Sequence, residues 1–254
     1  MLTAITRAVS RNLVNCELEY FARRRIDIDL AREQHRRYEQ ALEQCGARVI
    51  SLPEEPGLPD SVFVEDPALV LDEIAVITRM GVQSRRAEAV TLAQALEPFR
   101  PLCRIEPPGT LEGGDVLRVD RTLFVGLSHR TNAEGIRQLT SHLEPFDYSV
   151  VPVPVHGCLH LKSAACSLGD DAILINRAWV DPRHFPYLGL IEVPAAEPWA
   201  ANVLPVAGTI LCSSAFPLTR ALLDRAGYQT LPLDISELAK AEGALTCSSL
   251  IFEG

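Results

Sequence analysis

Short apolar runs alternate along this chain with longer stretches in which apolar residues recur at helical spacing. The runs at 47–52, 68–71, 74–78, 116–119, 122–126, 149–155, 172–175, 188–193, 209–212 and 229–233 predict strands, because they are brief and bounded by turn-forming residues. The clearest helix is predicted over 30–45, where Leu30, Tyr38, Ala41, Leu42 and Cys45 share one face and charge covers the other. A second is expected over 84–96, with Ala89, Leu92, Ala93 and Leu96 inward. A third begins at Thr131-Asn132-Ala133-Glu134, a capping-box sequence with Thr131 as N-cap, and buries Ile136, Leu139 and Leu143. A fourth opens on Pro217, and Gly227 stands where a glycine commonly ends a helix. Strands and helices alternate throughout with no linker-like shift in composition, so one α/β domain over residues 1–254 is predicted.

Polar signatures recur beside the apolar runs. They are Glu65-Asp66-Pro67, Glu112-Gly113-Gly114-Asp115, His160-Leu161-Lys162, Ala201-Asn202 and Glu242-Gly243-Ala244-Leu245-Thr246-Cys247. Their key residues stand at 66, 112, 160, 202 and 247, in steps of 46, 48, 42 and 45 residues. A period of that length, each unit holding strands and a helix, points to radial repetition. One such unit cannot bury both its faces; units packed around an axis can, and equivalent strand ends then converge on that axis. Chance spacing in an irregular α/β fold is the competing explanation.

Composition narrows the function. A net charge of −9 gives no footprint for nucleic acid. Residues 1–15 lack the apolar stretch of a signal peptide, and no run approaches the roughly 18 apolar residues of a membrane span. The seven cysteines are dispersed without a C-x-x-C pair, which reads as reduced thiols in a cytoplasmic protein. No H-x-x-x-H or C-x-x-C spacing suggests a metal site, and Gly113-Gly114 lacks the Lys-Ser/Thr of a phosphate loop. No metal or other cofactor is therefore expected. The expected partner is a small molecule, and the chain reads as a monomer or a homodimer.

The candidate chemistry lies in those signatures. Cys247 and His160 are the minimum for thiolate attack, the histidine moving the proton. Carboxylates at Asp66 and Glu112 oppose a thiolate unless the substrate is itself a cation. A guanidinium would satisfy them through charge-assisted bonds and would favour the thiolate in turn. Asp60 and Asp66 flank prolines and fit turn-forming roles equally well. Arg85 and Arg130 stand at predicted helix starts, where positive charge is unfavourable unless an anion is to be bound; solvated arginines are the alternative. His35, His129, His156 and His184 have no comparable setting.

Taken together, 59–67 (PDSVFVEDP), 84–86 (SRR), 109–115 (GTLEGGD), 130–135 (RTNAEG), 159–162 (LHLK) and 245–249 (LTCSS) resemble the dimethylarginine dimethylaminohydrolase family of guanidino-modifying, or pentein, enzymes. The resemblance implies a five-bladed pseudo-symmetric α/β propeller. It implies that Cys247 attacks the guanidinium carbon, that dimethylamine leaves, and that water releases citrulline from a covalent thiouronium intermediate. His160 would protonate the leaving amine and then activate water, with Glu112 holding it. Asp66, beside Glu65, would bind the guanidinium, with Asp60 in support. Arg85 and Arg130 would bind the α-carboxylate, and Leu18 and Ala241 the α-amino end. The stretch 15–29 departs from the family's covering loop, and Ala241 is smaller than the usual residue there.

Three relatives compete. Arginine deiminases and amidinotransferases share the fold, and the same propeller serves as a non-enzymatic ribosome anti-association factor. The last has no use for Cys247, His160 and Glu112 together. Deiminases resemble one another in carrying an aspartate two residues after the histidine; here that position is Lys162. A lysine turned away would leave room for methyl groups and no buried carboxylate lacking donors.

Overall fold

The computed structural model describes residues 1–169 and 171–254. The first strand, β1 (Leu2–Arg7), leads through α1 (Ile28–Gln44) to β2 (Arg48–Leu52), which pairs parallel to it. The next unit is a hairpin, β3 (Ala68–Val70) and β4 (Ala75–Ile77), then α2 (Glu88–Leu96) and a parallel β5 (Leu102–Arg104). The pattern repeats with β6 (Val116–Val119), β7 (Thr122–Leu127), α3 (Ala133–Leu143) and β8 (Ser149–Pro154). A short α4 (Leu161–Ala164) introduces β9 (Ala165–Gly169), β10 (Ala172–Ile175) and β11 (Gly189–Glu192), and β12 (Leu204–Val206), β13 (Thr209–Ser213), α5 (Pro217–Arg225) and β14 (Gln229–Leu233) form the last full unit. After α6 (Ser236–Ala239), β15 (Leu250–Glu253) pairs antiparallel with β1, Leu2 opposite Glu253, so the chain's end completes the sheet its beginning started. Five three-stranded sheets result, each one antiparallel and one parallel pairing, as in a five-bladed propeller.

The alternation of side chains along the middle strands explains why these runs are apolar on both faces. Ala75 and Ile77 face the core between the first and second blades, while Val76 faces the core between the second and third. Leu123 and Val125 share that second core, and Phe124 turns to the next. Ile173 and Ile175 oppose Leu174 in the same way, as Ile210 and Cys212 oppose Leu211. Successive side chains on a strand point to opposite faces, so each middle strand serves two inter-blade cores. At roughly 1.5–3 kcal/mol per buried large aliphatic side chain, no blade would hold its shape without both neighbours.

Several local expectations need correction. The strands β1, β5, β9 and β12 were not foreseen, because their three to six residues carry polar or proline interruptions. The predicted helix over 84–96 is a 3₁₀ turn, Gln83–Arg85, followed by α2. Asn132, not Thr131, caps α3 by accepting from the Gly135 amide at 2.8 Å; Glu134 bonds Arg137 and Gln138 instead of completing a capping box. Thr131 is thereby free to accept the amide of Glu112 at 3.1 Å. His160 immediately precedes α4 and Lys162 lies within it, so that signature sits at a short helix before its strand.

Candidate active site

The five polar signatures occupy equivalent places, each just before the first strand of a blade. Asp66 precedes β3, Glu112 precedes β6, His160 precedes α4 and β9, Asn202 precedes β12, and Cys247 precedes β15. Radial packing brings these entry points to the axis, which is why residues 181 positions apart can meet (Asp66 and Cys247 line one small pocket). His160, Asp60, Arg85, Arg130, Ala241 and Glu17 line it as well.

His160 is the hub. Its Nε2 donates to Glu112 Oε2 at 2.8 Å, and its Nδ1 lies 3.9 Å from Asp66 Oδ1. Glu112 is fully buried and accepts the Gly81 amide on its other oxygen at 3.0 Å. Burial opposes charge on His160, but Asp66, the Glu112 hydrogen bond and Asp115 outweigh it and push its pKa up to about 9. Burial likewise opposes charge on Glu112, yet the bond to His160 and nearby arginines bring it down to about 2. The pair is therefore an imidazolium held by a carboxylate at neutral pH. Gly114 makes the approach possible: a Cβ there would lie 2.5 Å from His160 Nδ1 and 2.8 Å from Asp66 Oδ1. Its neighbour Gly113 has its own reason, since a Cβ would sit 2.0 Å from the Glu65 carbonyl oxygen.

Cys247 enters on a 3₁₀ turn, Thr246–Ser248. Asn202 clamps that turn by accepting the Thr246 amide at 3.1 Å and donating to Thr246 Oγ1 at 3.0 Å. Burial, then Glu65 and Asp66, push the Cys247 thiol far above its ordinary value. Beside those carboxylates the thiol keeps its proton, and a cation set against Asp66 is what would release it. All seven cysteines are unpaired.

The arginines are not free. Arg85 is buried and donates from Nε and Nη2 to Glu88 at 3.0 and 2.9 Å, and from Nη1 to Asp66 Oδ2 at 2.9 Å. Burial drives the Glu88 carboxyl up to about 7 despite that partner. Arg130 donates from Nε to Glu19 at 3.2 Å, while its buried Nη1 has no hydrogen-bond partner among the described residues and lies 3.5 Å from Glu112. Asp60 accepts the Glu17 amide at 3.2 Å, and burial raises its pKa.

Three expected residues do not line this pocket; Glu112 is one, and it reaches the site through His160. Glu65 turns to the opposite side of the axis, where it accepts from Lys162 Nζ at 2.5 Å and Thr246 Oγ1 at 2.7 Å and lines a separate cavity with Lys162. Leu18 is half-buried and packs on the same apolar cluster as Cys247 without lining the pocket. Glu17 and Glu88 were missed, and Glu242 was noted only as the start of the Cys247 signature, without a role of its own. Asp66, Glu112 and His160 also place one ligand-type atom each within 4.8 Å of one another, a spacing that could hold a cation and that no sequence spacing betrayed. Here those atoms are spent on protein donors and on one another.

Comparison with known proteins agrees. A family model described as N,N dimethylarginine dimethylhydrolase, eukaryotic, matches residues 12–182. The chain is 38% identical to the N(G),N(G)-dimethylarginine dimethylaminohydrolase of Pseudomonas aeruginosa over 89% of its own length and 90% of that protein. To the Streptomyces coelicolor protein of that name it is 37% identical over 97% and 95%. Among solved structures, a cysteine-to-serine variant of the Pseudomonas aeruginosa enzyme complexed with citrulline superposes with a TM-score of 0.94 at 36% identity, covering 99% of this chain and all of that one. A cyanobacterial arginine dihydrolase domain shares the fold at 22% identity and a TM-score of 0.89, covering 98% and 97%.

Proposed function

The chain belongs to the dimethylarginine dimethylaminohydrolase family, and on that premise we propose that it hydrolyses Nω-methylated arginines to citrulline and a methylamine with Cys247 as nucleophile. The observation that carries the reading is the convergence of Cys247, His160 and Asp66 on one pocket, with His160 held by Glu112. A guanidinium entering beside Asp66 cancels the negative field that keeps the thiol protonated. The thiol proton passes to solvent, and the thiolate attacks the guanidinium carbon. The His160 imidazolium gives its proton to the departing amine, and the C–N bond breaks to leave a covalent thiouronium. Neutral His160 next takes a proton from water, whose oxygen adds to the same carbon, and the C–S bond breaks to release citrulline. Arg130, with an unpartnered buried donor, supports an anchor for the substrate's carboxylate.

Lys162 bears on which guanidine is preferred. Its ammonium bonds Glu65 across the axis, and it does not line the reactive pocket. The pocket thus lacks a carboxylate at that position, which an unsubstituted guanidinium could use and a dimethylated nitrogen could not. The test is citrulline release from dimethylarginine, monomethylarginine and arginine in parallel. The methylated substrates are expected to have the higher kcat/KM; a tenfold preference for arginine would instead favour a deiminase.

A further inference from the structure

The segment 17–21 starts at the reactive pocket, which Glu17 lines, and its Tyr20 and Phe21 line a neighbouring cavity with Trp199 and Glu242. What holds the segment there is a residue of the nucleophile's own approach, Glu242. The end of α6 closes with the Gly243 amide on the Leu238 carbonyl at 3.0 Å and the Glu242 amide on the Ala239 carbonyl at 3.2 Å. This is the Schellman pattern, and its left-handed position is ordinarily glycine. Here Glu242 occupies it at φ +59°. A side chain in that region costs about 1 kcal/mol that glycine would not. The backbone gives no reason to prefer glutamate, so the reason lies in its side chain.

That side chain reaches the segment 17–21. Glu242 Oε1 accepts the amides of Glu19 at 3.0 Å, Tyr20 at 2.6 Å and Phe21 at 2.6 Å, and Oε2 accepts the Glu19 amide at 3.1 Å. Three successive amides around one carboxylate form an anion nest, with charge-assisted bonds about twice as strong as neutral ones. We propose that Glu242 is a positioning residue whose carboxylate tethers Glu19, Tyr20 and Phe21 and so keeps Glu17 in place in the wall of the reactive pocket. The proposal rests on the hydrolase reading for its kinetic consequence, though not for the tether itself. The tether also orders two further contacts: Glu19 meets Arg130 and His129, and the Phe21 ring meets Trp199 edge-on at 4.8 Å between centroids.

The test compares the parent with Glu242→Gln and Glu242→Gly. Trypsin reads the segment's freedom, because Arg23, Arg24 and Arg25 follow it directly and are exposed. Both variants are expected to be nicked there about ten times faster, and KM for methylarginine to rise about tenfold with kcat changed less than about threefold. The glycine variant loses the same carboxylate but also the backbone strain, so its unfolding midpoint should not fall below that of Glu242→Gln. Unchanged nicking and KM in both variants would overturn the proposal. Faster nicking with unchanged kinetics would overturn the wall, and a lowered midpoint in both variants with kcat lost at unchanged KM would mark general damage and overturn it too. If the parent itself releases no citrulline, the hydrolase reading fails, and the nicking contrast alone decides the tether.

Discussion

Replacing Glu112 by glutamine keeps the shape of the residue at the hub of the site and removes its charge. Its carboxylate presently accepts from His160 Nε2 at 2.8 Å on one oxygen and from the Gly81 amide at 3.0 Å on the other. An amide has one oxygen, so Glu112→Gln must choose. If the oxygen stays on His160, the new NH₂ faces the Gly81 N–H, donor against donor, at a cost of about 1–3 kcal/mol in a fully buried place. If the oxygen turns to Gly81, the NH₂ faces His160 Nε2, which must then be an acceptor in a neutral ring. Either way the imidazolium loses a charged partner worth about 1.5–3 kcal/mol, or roughly one to two units at 1.36 kcal/mol each. In the parent, thiol and imidazolium together carry one proton more than the thiolate–imidazolium pair that attack requires. Thus kcat/KM should climb with pH toward about 9, where the parent's His160 titrates, and then level. In Glu112→Gln the levelling point should move down by about one to two units, and kcat should drop about 10²-fold as the acid loses its orientation. The assay is citrulline release across pH 5.5–10, with urea unfolding to read the buried mismatch. A limb that stays in place with kcat within threefold would refute the account of Glu112 as His160's holder.

Gly114→Ala would put a methyl group 2.5 Å from His160 Nδ1, so turnover should be nearly abolished while circular dichroism stays that of the parent; a normal kcat would sink the close-approach argument. Lys162→Met leaves Glu65 a buried carboxylate without its cation, which should cost about 3–5 kcal/mol in urea unfolding. Adding Glu65→Gln should recover part of that loss, and no recovery would count against the pair. Arg130→Ala should weaken substrates that carry an α-carboxylate by about 1.5–3 kcal/mol in kcat/KM and leave simple alkylguanidines little changed, whereas equal losses would dismiss the anchor.

Local patterns in the sequence sufficed for whatever depends on near neighbours. Apolar runs marked four of the five middle strands, since each feeds two cores; β1, with Thr3 and Thr6 among its residues, was the exception. The spacing of Asp66, Glu112, His160, Asn202 and Cys247 foretold their convergence, because a repeated unit puts equivalent strand entries on one axis. The short strands β5 and β12 escaped notice, for their pairing partners rather than their own residues make them strands. Which way a side chain turns at the axis was likewise decided only by packing. Glu65 and Asp66 are neighbours in sequence, yet one bonds Lys162 on the far side and the other bonds Arg85 beside the thiol. Glu242 stood in the sequence only as the start of the Cys247 signature, until folding brought three amides of a distant segment to its carboxylate. Its role depends on partners that no local stretch of sequence contains, so only the tertiary structure could assign it.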